Sequence, residues 1–133
     1  MYISSILGFL EKGLDVSAMR QLAQADNIAN ANTPLYKKKE VIFESEMQKA
    51  LEAQKGNHLR GTLTDKRHIP IGPKPPADIQ PKVQIDDSLT WRKDGNNVDI
   101  DVEMAENTKN VIRYNALIQK AIGEFTKVKK VLE

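Results

Sequence analysis

A polar stretch rich in asparagine, residues 26–37 (DNIANANTPLYK), interrupts the first apolar segment of the chain. Asn27, Asn30 and Asn32 are poor helix residues, because their side-chain amides compete for backbone hydrogen bonds. Thr33-Pro34 then disfavours continuation, since proline moves the residue before it out of the helical region. From this chemistry alone, the stretch is either a specialised stop or an ordinary helix C-terminus followed by turn residues.

The segment before this stop has helical periodicity, with apolar residues three or four positions apart. The pattern predicts a helix from about Ser5 to Ala31, which would be about 40 Å long. Its stripe contains Ile3, Leu7, Leu10, Leu14, Ala18, Leu22, Ala25 and Ala29. We expect Leu7, Leu10, Leu14 and Leu22 to form the helix-packing interface.

A second long apolar-periodic segment closes the chain and predicts a helix from about Asp101 to Val131. Steps of four and three residues form a coiled-coil-type row, which we call the seam: Met104, Thr108, Val111, Asn115, Ile118, Ile122, Phe125, Lys129 and Leu132. Its packing positions are Met104, Val111, Ile118, Ile122, Phe125 and Leu132. A parallel row widens the apolar face, namely Tyr114, Leu117, Ala121 and Val128. Asp99 or Asp101 is the expected N-cap.

The region between the helices is polar and contains five of the six prolines. Residues 40–54 predict a strand start followed by a short helix, and residues 56–81 predict an extended or partly disordered loop. Residues 82–86 alternate and predict a weak strand. The Asp94-Gly95 turn between alternating runs indicates a β-hairpin, and we expect Trp91 to pack beneath it.

The predicted fold is therefore mainly α, with two long terminal amphipathic helices packing in coiled-coil fashion and a loop-rich middle containing short β-hairpin elements. We expect one structural unit, made of the N-terminal helix and stop (1–34), the middle (35–98) and the C-terminal helix (99–133). The order of elements indicates a filament building block. The apolar stripes would be underburied in a monomer. The alternative is a compact helical domain covered by the middle, which has few apolar residues for that purpose.

Composition excludes several classes of function. The net charge of +2, with acids and bases interspersed, argues against nucleic acid as a partner. Absence of cysteine removes disulfides, thiol nucleophiles and thiolate metal sites. No apolar run is long enough for a membrane span. The apolar start lacks a basic region, so we expect no cleaved signal peptide.

Nothing in the sequence supports catalysis. The two histidines, His58 and His68, have no carboxylate at metal-ligand spacing. The acidic run from Asp94 fails as a calcium loop, because Val98 and Asp99 occupy the positions that require an oxygen ligand and glycine. We therefore expect no enzyme activity, no catalytic residues, no cofactor and no metal.

The motif residues resemble the N-terminal signature of the bacterial flagellar axial proteins, which include rod and hook proteins. The residues that carry this resemblance, and that it implicates in assembly, are Asn27, Ile28, Asn30, Asn32, Thr33, Pro34 and Tyr36. The usual form of the signature has glycine where this chain has Leu35. That substitution leaves a left-handed turn at this position open, because leucine adopts it at a cost.

Two further segments are similar to the proximal rod proteins of the flagellar basal body. One is DGNNVDID at 94–101, leading into a helix with Asn110, Tyr114 and Leu117; the other is Arg67-His68-Ile69. The resemblance implies a structural rod subunit, exported through the flagellum-specific type III apparatus without a cleaved signal. It also implies partners: other copies, other rod proteins, and the inner-membrane ring with its rod adaptor. The alternative function is a small soluble helical module that folds alone and binds a partner helix.

Overall fold

A computed structural model describes residues 2–55, 65, 67, 76–90 and 92–132. Its elements are α1 (Tyr2–Ala29), β1 (Lys39–Ile42), α2 (Glu44–Lys55), a 3₁₀ turn (Pro76–Asp78), β2 (Lys82–Ile85) and α3 (Ile100–Leu132). This order confirms the mainly α fold with two long terminal helices. It also confirms the predicted strand and helix within 40–54 and the weak strand at 82–86. Trp91, His58, His68 and Ile69 lie outside the described residues, as does most of the predicted loop 56–81.

The two long helices end where their sequences stop supporting them. Helix α1 has 28 residues and closes with backbone bonds from Asn30 to Asp26 and Asn27. Helix α3 has 33 residues, and its N-cap is Asp99, one of the two predicted residues. The Asp99 carboxylate accepts hydrogen bonds from the backbone N–H groups of Asp101 (3.0 Å) and Val102 (3.3 Å).

A two-stranded antiparallel sheet forms between β1 and β2. The Asp86 N–H donates to the Lys38 carbonyl over 2.8 Å, and in an antiparallel ladder such a bond joins residues that lie directly opposite. The register therefore pairs 40 with 84 and 42 with 82. As a result, the backbone groups of 39 and 41 on β1, and of 83 and 85 on β2, face away from the partner strand.

Helices α1 and α3 pack against each other through small and polar residues. Val16, Ser17 and Ala23 of α1 are buried, and so are Glu103 and Asn110 of α3. The Asn110 amide donates to the Ser17 carbonyl over 2.8 Å. Gly13 faces Leu117, whose Cδ1 would lie 3.1 Å from the Cβ of any larger residue at position 13. The row of α3 that contacts α1 is thus 103, 110 and 117, adjacent to the predicted seam.

The contacts of the chain divide into two compact units, Met1–Val41 with Pro81–Glu133, and Ile42–Gln80. The first unit contains both long helices and most of the sheet. In the second, α2 packs against the 3₁₀ turn, and Ala50 and Ile79 are buried. The predicted organisation as one structural unit stays a prediction, because this division describes contacts within each unit only.

The Asp94-Gly95 prediction is half correct. A turn does form there, with a bond from the Gly95 N–H to the Arg92 carbonyl over 3.1 Å. No strand flanks it among the described residues, and Ile100 already begins α3. The predicted hairpin at this turn is therefore wrong: side-chain hydrogen bonds to other segments, described below, hold this loop in place of a ladder.

Candidate functional site: the asparagine junction

The polar stop, the start of β1 and the loop before α3 meet in one hydrogen-bonded cluster. We call it the asparagine junction. It comprises Asn27, Asn30, Tyr36, Lys38, Lys39, Arg92, Asp94, Asn96, Asn97 and Glu103.

Asn27 acts as a substitute neighbour for strand β1. Its side chain is fully buried, with 0% exposure. Its amide donates to the Lys39 carbonyl and accepts from the Lys39 N–H, both over 2.9 Å. Because the backbone of Lys39 faces away from β2, the Asn27 amide occupies the position that the peptide group of another strand would take.

The remaining bonding capacity of the Asn27 amide is also used. Its nitrogen donates to Glu103 Oε2 over 3.0 Å, and its oxygen accepts from the Tyr36 hydroxyl over 3.3 Å. An amide offers two donors and two acceptor positions, and all four are engaged. Asn27 therefore joins α1, β1 and α3 at a single point.

Glu103 carries a buried charge into this junction. It is 3% exposed, and its carboxylate lies 3.5 Å from Lys38 Nζ. Lys38 also pairs with Glu40 at 2.8 Å. Burial alone would lower the pKa of Lys38, but the ion pairs with Glu40 and Glu103 outweigh it and raise that pKa. A buried carboxylate with a cation and an amide donor is compensated, so Glu103 fixes α3 against β1.

Asn96 caps the C-terminal end of α1. It is fully buried, with 0% exposure, and its amide nitrogen lies within hydrogen-bond distance of three carbonyl oxygens: Asn30 (2.9 Å), Ala31 (3.1 Å) and Thr33 (2.9 Å). Its amide oxygen accepts from the Val98 N–H over 2.7 Å. The last carbonyls of a helix lack hydrogen-bond donors within the helix, and here the amide of a distant asparagine donates to the carbonyls that follow α1.

Arg92 and Asp94 complete this cap. The guanidinium meets the Asp94 carboxylate through two bonds, of 3.1 and 2.6 Å. It also donates to the carbonyls of Ala31 and Val98, each over 3.2 Å. The hydrogen bond from Arg92 holds the pKa of Asp94 below its usual value. The pair therefore ties the loop before α3 to the end of α1.

Leu35 adopts a left-handed backbone conformation, with φ of 60°, which answers the question that its sequence left open. The turn forms with leucine in place of the usual glycine because a hydrogen bond from another segment stabilises it: the Leu35 N–H donates to the Asp94 carbonyl over 2.9 Å. Leu35 Cδ2 would lie 2.9 Å from a Cβ at Gly95, whose φ is +74°. The positive φ therefore favours glycine at 95, whereas the close contact involves the end of a leucine side chain that is 78% exposed and can shift.

Asn97 extends the sheet. Its amide oxygen accepts from the Lys38 N–H over 2.7 Å, and its nitrogen donates to the Asp86 carbonyl over 2.8 Å. Lys38 and Asp86 are opposite each other, so one of their two ladder bonds is direct and the other is bridged by this side chain. The loop before α3 is thereby fastened to both strands.

Comparison with known proteins identifies the family. No established protein-family profile matches the chain. The flagellar basal body rod protein FlgB of Bacillus subtilis (strain 168) is 34% identical over 123 residues, covering 92% of this chain and 89% of the relative. Those of Proteus mirabilis (strain HI4320) and Escherichia coli (strain K12) are 37% identical over 112 residues and 31% over 137 residues. These two alignments cover 81% and 98% of this chain, and 79% and 95% of the relatives. The chain belongs to the FlgB family of flagellar basal body rod proteins.

Two of the segments that resembled rod proteins, 27–36 and 94–101, contribute residues to the asparagine junction of this chain. Asn27, Asn30 and Tyr36 lie inside it. Asn30 donates to the Asp26 carbonyl over 2.8 Å and accepts from the Thr33 hydroxyl over 3.2 Å. Ile28 is half-buried, and Asn32, Thr33 and Pro34 are exposed. The role of these residues in assembly stays a prediction.

In the isolated chain, the predicted helix-packing residues differ in how far their side chains are exposed to solvent. The half-buried ones are Leu7, Leu10, Leu14 and Ile118, and the exposed ones are Leu22, Met104, Val111, Ile122 and Phe125. The side chain of Leu132 lies outside the described ones. Their packing against helices of neighbouring subunits stays a prediction.

Sequence reasoning missed Arg92, Asn96, Asn97 and Glu103 as junction residues. The run 94–97 was interpreted as a turn, and the bonds that Asn96 makes to a segment more than 60 residues earlier have no local signal. Glu103 was overlooked because it lies one position before the seam. Over the described residues, no group of three His, Cys, Asp or Glu side chains could hold a metal. In the same residues, no helix has the length and apolarity needed to cross a membrane.

Proposed function

We propose that this FlgB-family chain is a structural subunit of the flagellar basal body rod that assembles through its terminal helices into the hollow axial shaft. It acts without catalysis. Its partners are other copies of itself, other rod proteins, and the inner-membrane ring through its rod adaptor. It reaches the cell envelope through the flagellar type III export apparatus, without a cleaved signal peptide. Family membership and the resemblance of the motifs support these assignments.

The observation that carries the assembly proposal is the uncovered seam of α3. Met104 is 57% exposed, Ile122 59% and Phe125 61%, although α3 already packs against α1 along its neighbouring row. At about 25 cal/mol per Å² of apolar surface, covering each of these side chains is worth about 1–2 kcal/mol before the costs of association. Apolar side chains at heptad spacing pack best against another helix. We therefore assign the seam to contacts between subunits.

Ile122→Asp tests this assignment. The side chain is exposed in the monomer, so the variant should fold normally, yet a charge buried between helices should block assembly. The matched control is Ala116→Asp, which adds the same charge at an exposed position about 120° round the helix from Ile122, on the side that carries Arg113 and Lys120.

The measurements are circular dichroism of the purified chains, and motility and rod content of cells that carry each variant as their only copy. We expect Ile122→Asp to be folded and exported but to leave cells immotile without complete rods, and Ala116→Asp to support motility. Normal rods with Ile122→Asp would contradict the proposal. Misfolding of the purified Ile122→Asp chain would contradict it too, because the seam would then belong to the monomer core.

A further inference from the structure

Strand β2 has an outer edge that no other described strand covers. All four of its residues are exposed, and Val83 and Ile85 are 50% and 54% exposed. The register with β1 directs the backbone N–H and C=O groups of 83 and 85 outward, as derived above. Such an edge is a template for pairing with a further strand.

The sequence of this edge is complementary to itself. Residues 82–86 read Lys-Val-Gln-Ile-Asp. When two copies are placed antiparallel with Gln84 opposite Gln84, Lys82 faces Asp86 and Val83 faces Ile85, each pair occurring twice. Opposite charges and β-branched pairs in directly opposed positions both stabilise a sheet.

The hydrogen-bond phase agrees with this arrangement. Residues that exchange backbone bonds in an antiparallel ladder must both direct those groups toward the partner. In the register centred on Gln84, the bonded pairs are 83 with 85 and 85 with 83, which are the outward-facing residues. The pairing forms four backbone hydrogen bonds, and Pro81, which has no N–H to donate, limits the ladder beyond them.

We propose that β2 is a self-association edge, through which two copies of this chain form an antiparallel pair and join their sheets into one of four strands. The two-fold axis passes through Gln84. Val83 and Ile85 of both copies then lie on one face of the joined sheet, because alternate residues of a strand share a face. The strand that pairs with this edge is β2 of a second copy, since Lys82 and Asp86 of one copy then lie opposite Asp86 and Lys82 of the other.

Strand β1 does not offer an equivalent edge. Its outward-facing Lys39 is already occupied on both backbone groups by the Asn27 amide. A head-to-tail extension, with β2 of one copy on β1 of the next, is therefore obstructed, and association through the sheet stops at two copies. A closed pair of this kind is isologous, and it uses a different surface from the terminal helices proposed to build the rod. This inference does not depend on the proposed function.

A cysteine at the two-fold axis tests the proposal. The chain has no cysteine, so Gln84→Cys introduces a single one on an exposed strand. In the proposed pair the two Cα atoms at 84 lie about 4.5 Å apart, within the range that a disulfide spans. The control is Asp87→Cys, also exposed. Its two copies would lie about 20 Å apart, since each is three residues from the axis.

Each cysteine variant is made separately in the full chain that also carries Ile122→Asp, so that contacts through the seam do not contribute to dimer formation. Under mild oxidation we expect Gln84→Cys to form disulfide-linked dimer at least about tenfold faster than Asp87→Cys. Equal rates for the two variants, or no dimer from Gln84→Cys in a chain with normal circular dichroism, would overturn the proposal.

A charge reversal provides the second measurement. Lys82→Asp, added to the Gln84→Cys chain, places two like-charged pairs across the edge, and we expect it to slow cross-linking about tenfold. Lys93→Asp makes the same charge change at an exposed lysine outside the sheet and should leave the rate unchanged. Equal effects of the two reversals would overturn the assignment of Lys82 to the edge.

Discussion

Removing the Asn96 side chain should be among the most destabilising single changes in the chain. The amide donates two hydrogens, shared among the carbonyls of Asn30, Ala31 and Thr33, and accepts one from the Val98 N–H. It therefore makes about three hydrogen bonds, each worth about 1 kcal/mol, and its truncation also leaves the buried N–H of Val98 without its acceptor. The carbonyls of Asn30 and Thr33 keep the hydrogen bonds that they accept from the backbone N–H groups of Thr33 and Tyr36. Arg92 still donates to the Ala31 carbonyl and compensates part of this loss. We expect Asn96→Ala to lower the free energy of unfolding by about 3 kcal/mol.

Urea denaturation followed by circular dichroism measures this change, with the slope against urea expected to stay constant. Asn96→Asp keeps the oxygen that binds Val98 but turns a carboxylate oxygen toward three carbonyls, so it should destabilise at least as much as Asn96→Ala. Asn32→Ala, at an exposed asparagine of the same stop, is the control and should stay within about 0.5 kcal/mol of wild type. A loss below about 1 kcal/mol for Asn96→Ala would refute the capping argument.

Three further changes should have smaller effects, each measurable by the same denaturation assay. Leu35→Gly should stabilise by about 0.5 kcal/mol, because it removes a left-handed strain of about 1–2 kcal/mol at an entropic cost of about 0.5–1 kcal/mol; clear destabilisation would show that Leu35 is not strained. Asp94→Asn should be less stable than wild type near neutral pH. Since Arg92 lowers the pKa of Asp94 from 3.8, the contribution of that carboxylate is complete above about pH 4 and fades as pH falls through the depressed value; a difference constant from pH 6 to pH 2 would contradict this. Gly123→Ala should stabilise α3 by about 0.5–1 kcal/mol, because its Cβ would meet no atom within 4 Å; no gain would mean that α3 frays there.

The sequence was sufficient to predict the elements whose signals are local. Helical periodicity and the asparagine stop located α1, and the two candidate N-caps, Asp99 and Asp101, located the start of α3 to within two residues, because periodicity and capping depend on residues a few positions apart. Strand β2 was also predicted from its alternation. Two of the three segments that carry the family resemblance, 27–36 and 94–101, are brought together in the structure; the third, 67–69, lies largely outside the described residues.

Long-range partners were beyond such reasoning. Nothing local indicates that the Asn27 amide meets Lys39 and Glu103, or that Asn96 reaches carbonyls more than 60 positions earlier in the chain. The choice of helix face was also ambiguous. The apolar seam predicted where α3 is hydrophobic, but α1 took the adjacent row, because Asn110 and Glu103 find hydrogen-bond partners there. A hydrophobicity pattern cannot anticipate a contact made by satisfied polar groups.

The pairing of β1 with β2 has a consequence for how this chain can be altered. Val41 and Val83, both in the first unit, are opposite each other in the ladder, so the two segments of that unit lie only about 5 Å apart near the points where the chain leaves and re-enters it. A domain inserted between these two positions needs N- and C-termini that lie close together, and many folded domains have such termini. The asparagine junction forms without residues 42–80, since its bonds come from 26–40 and 86–103. A foreign domain inserted there should therefore leave the packing of α1 against α3 unchanged.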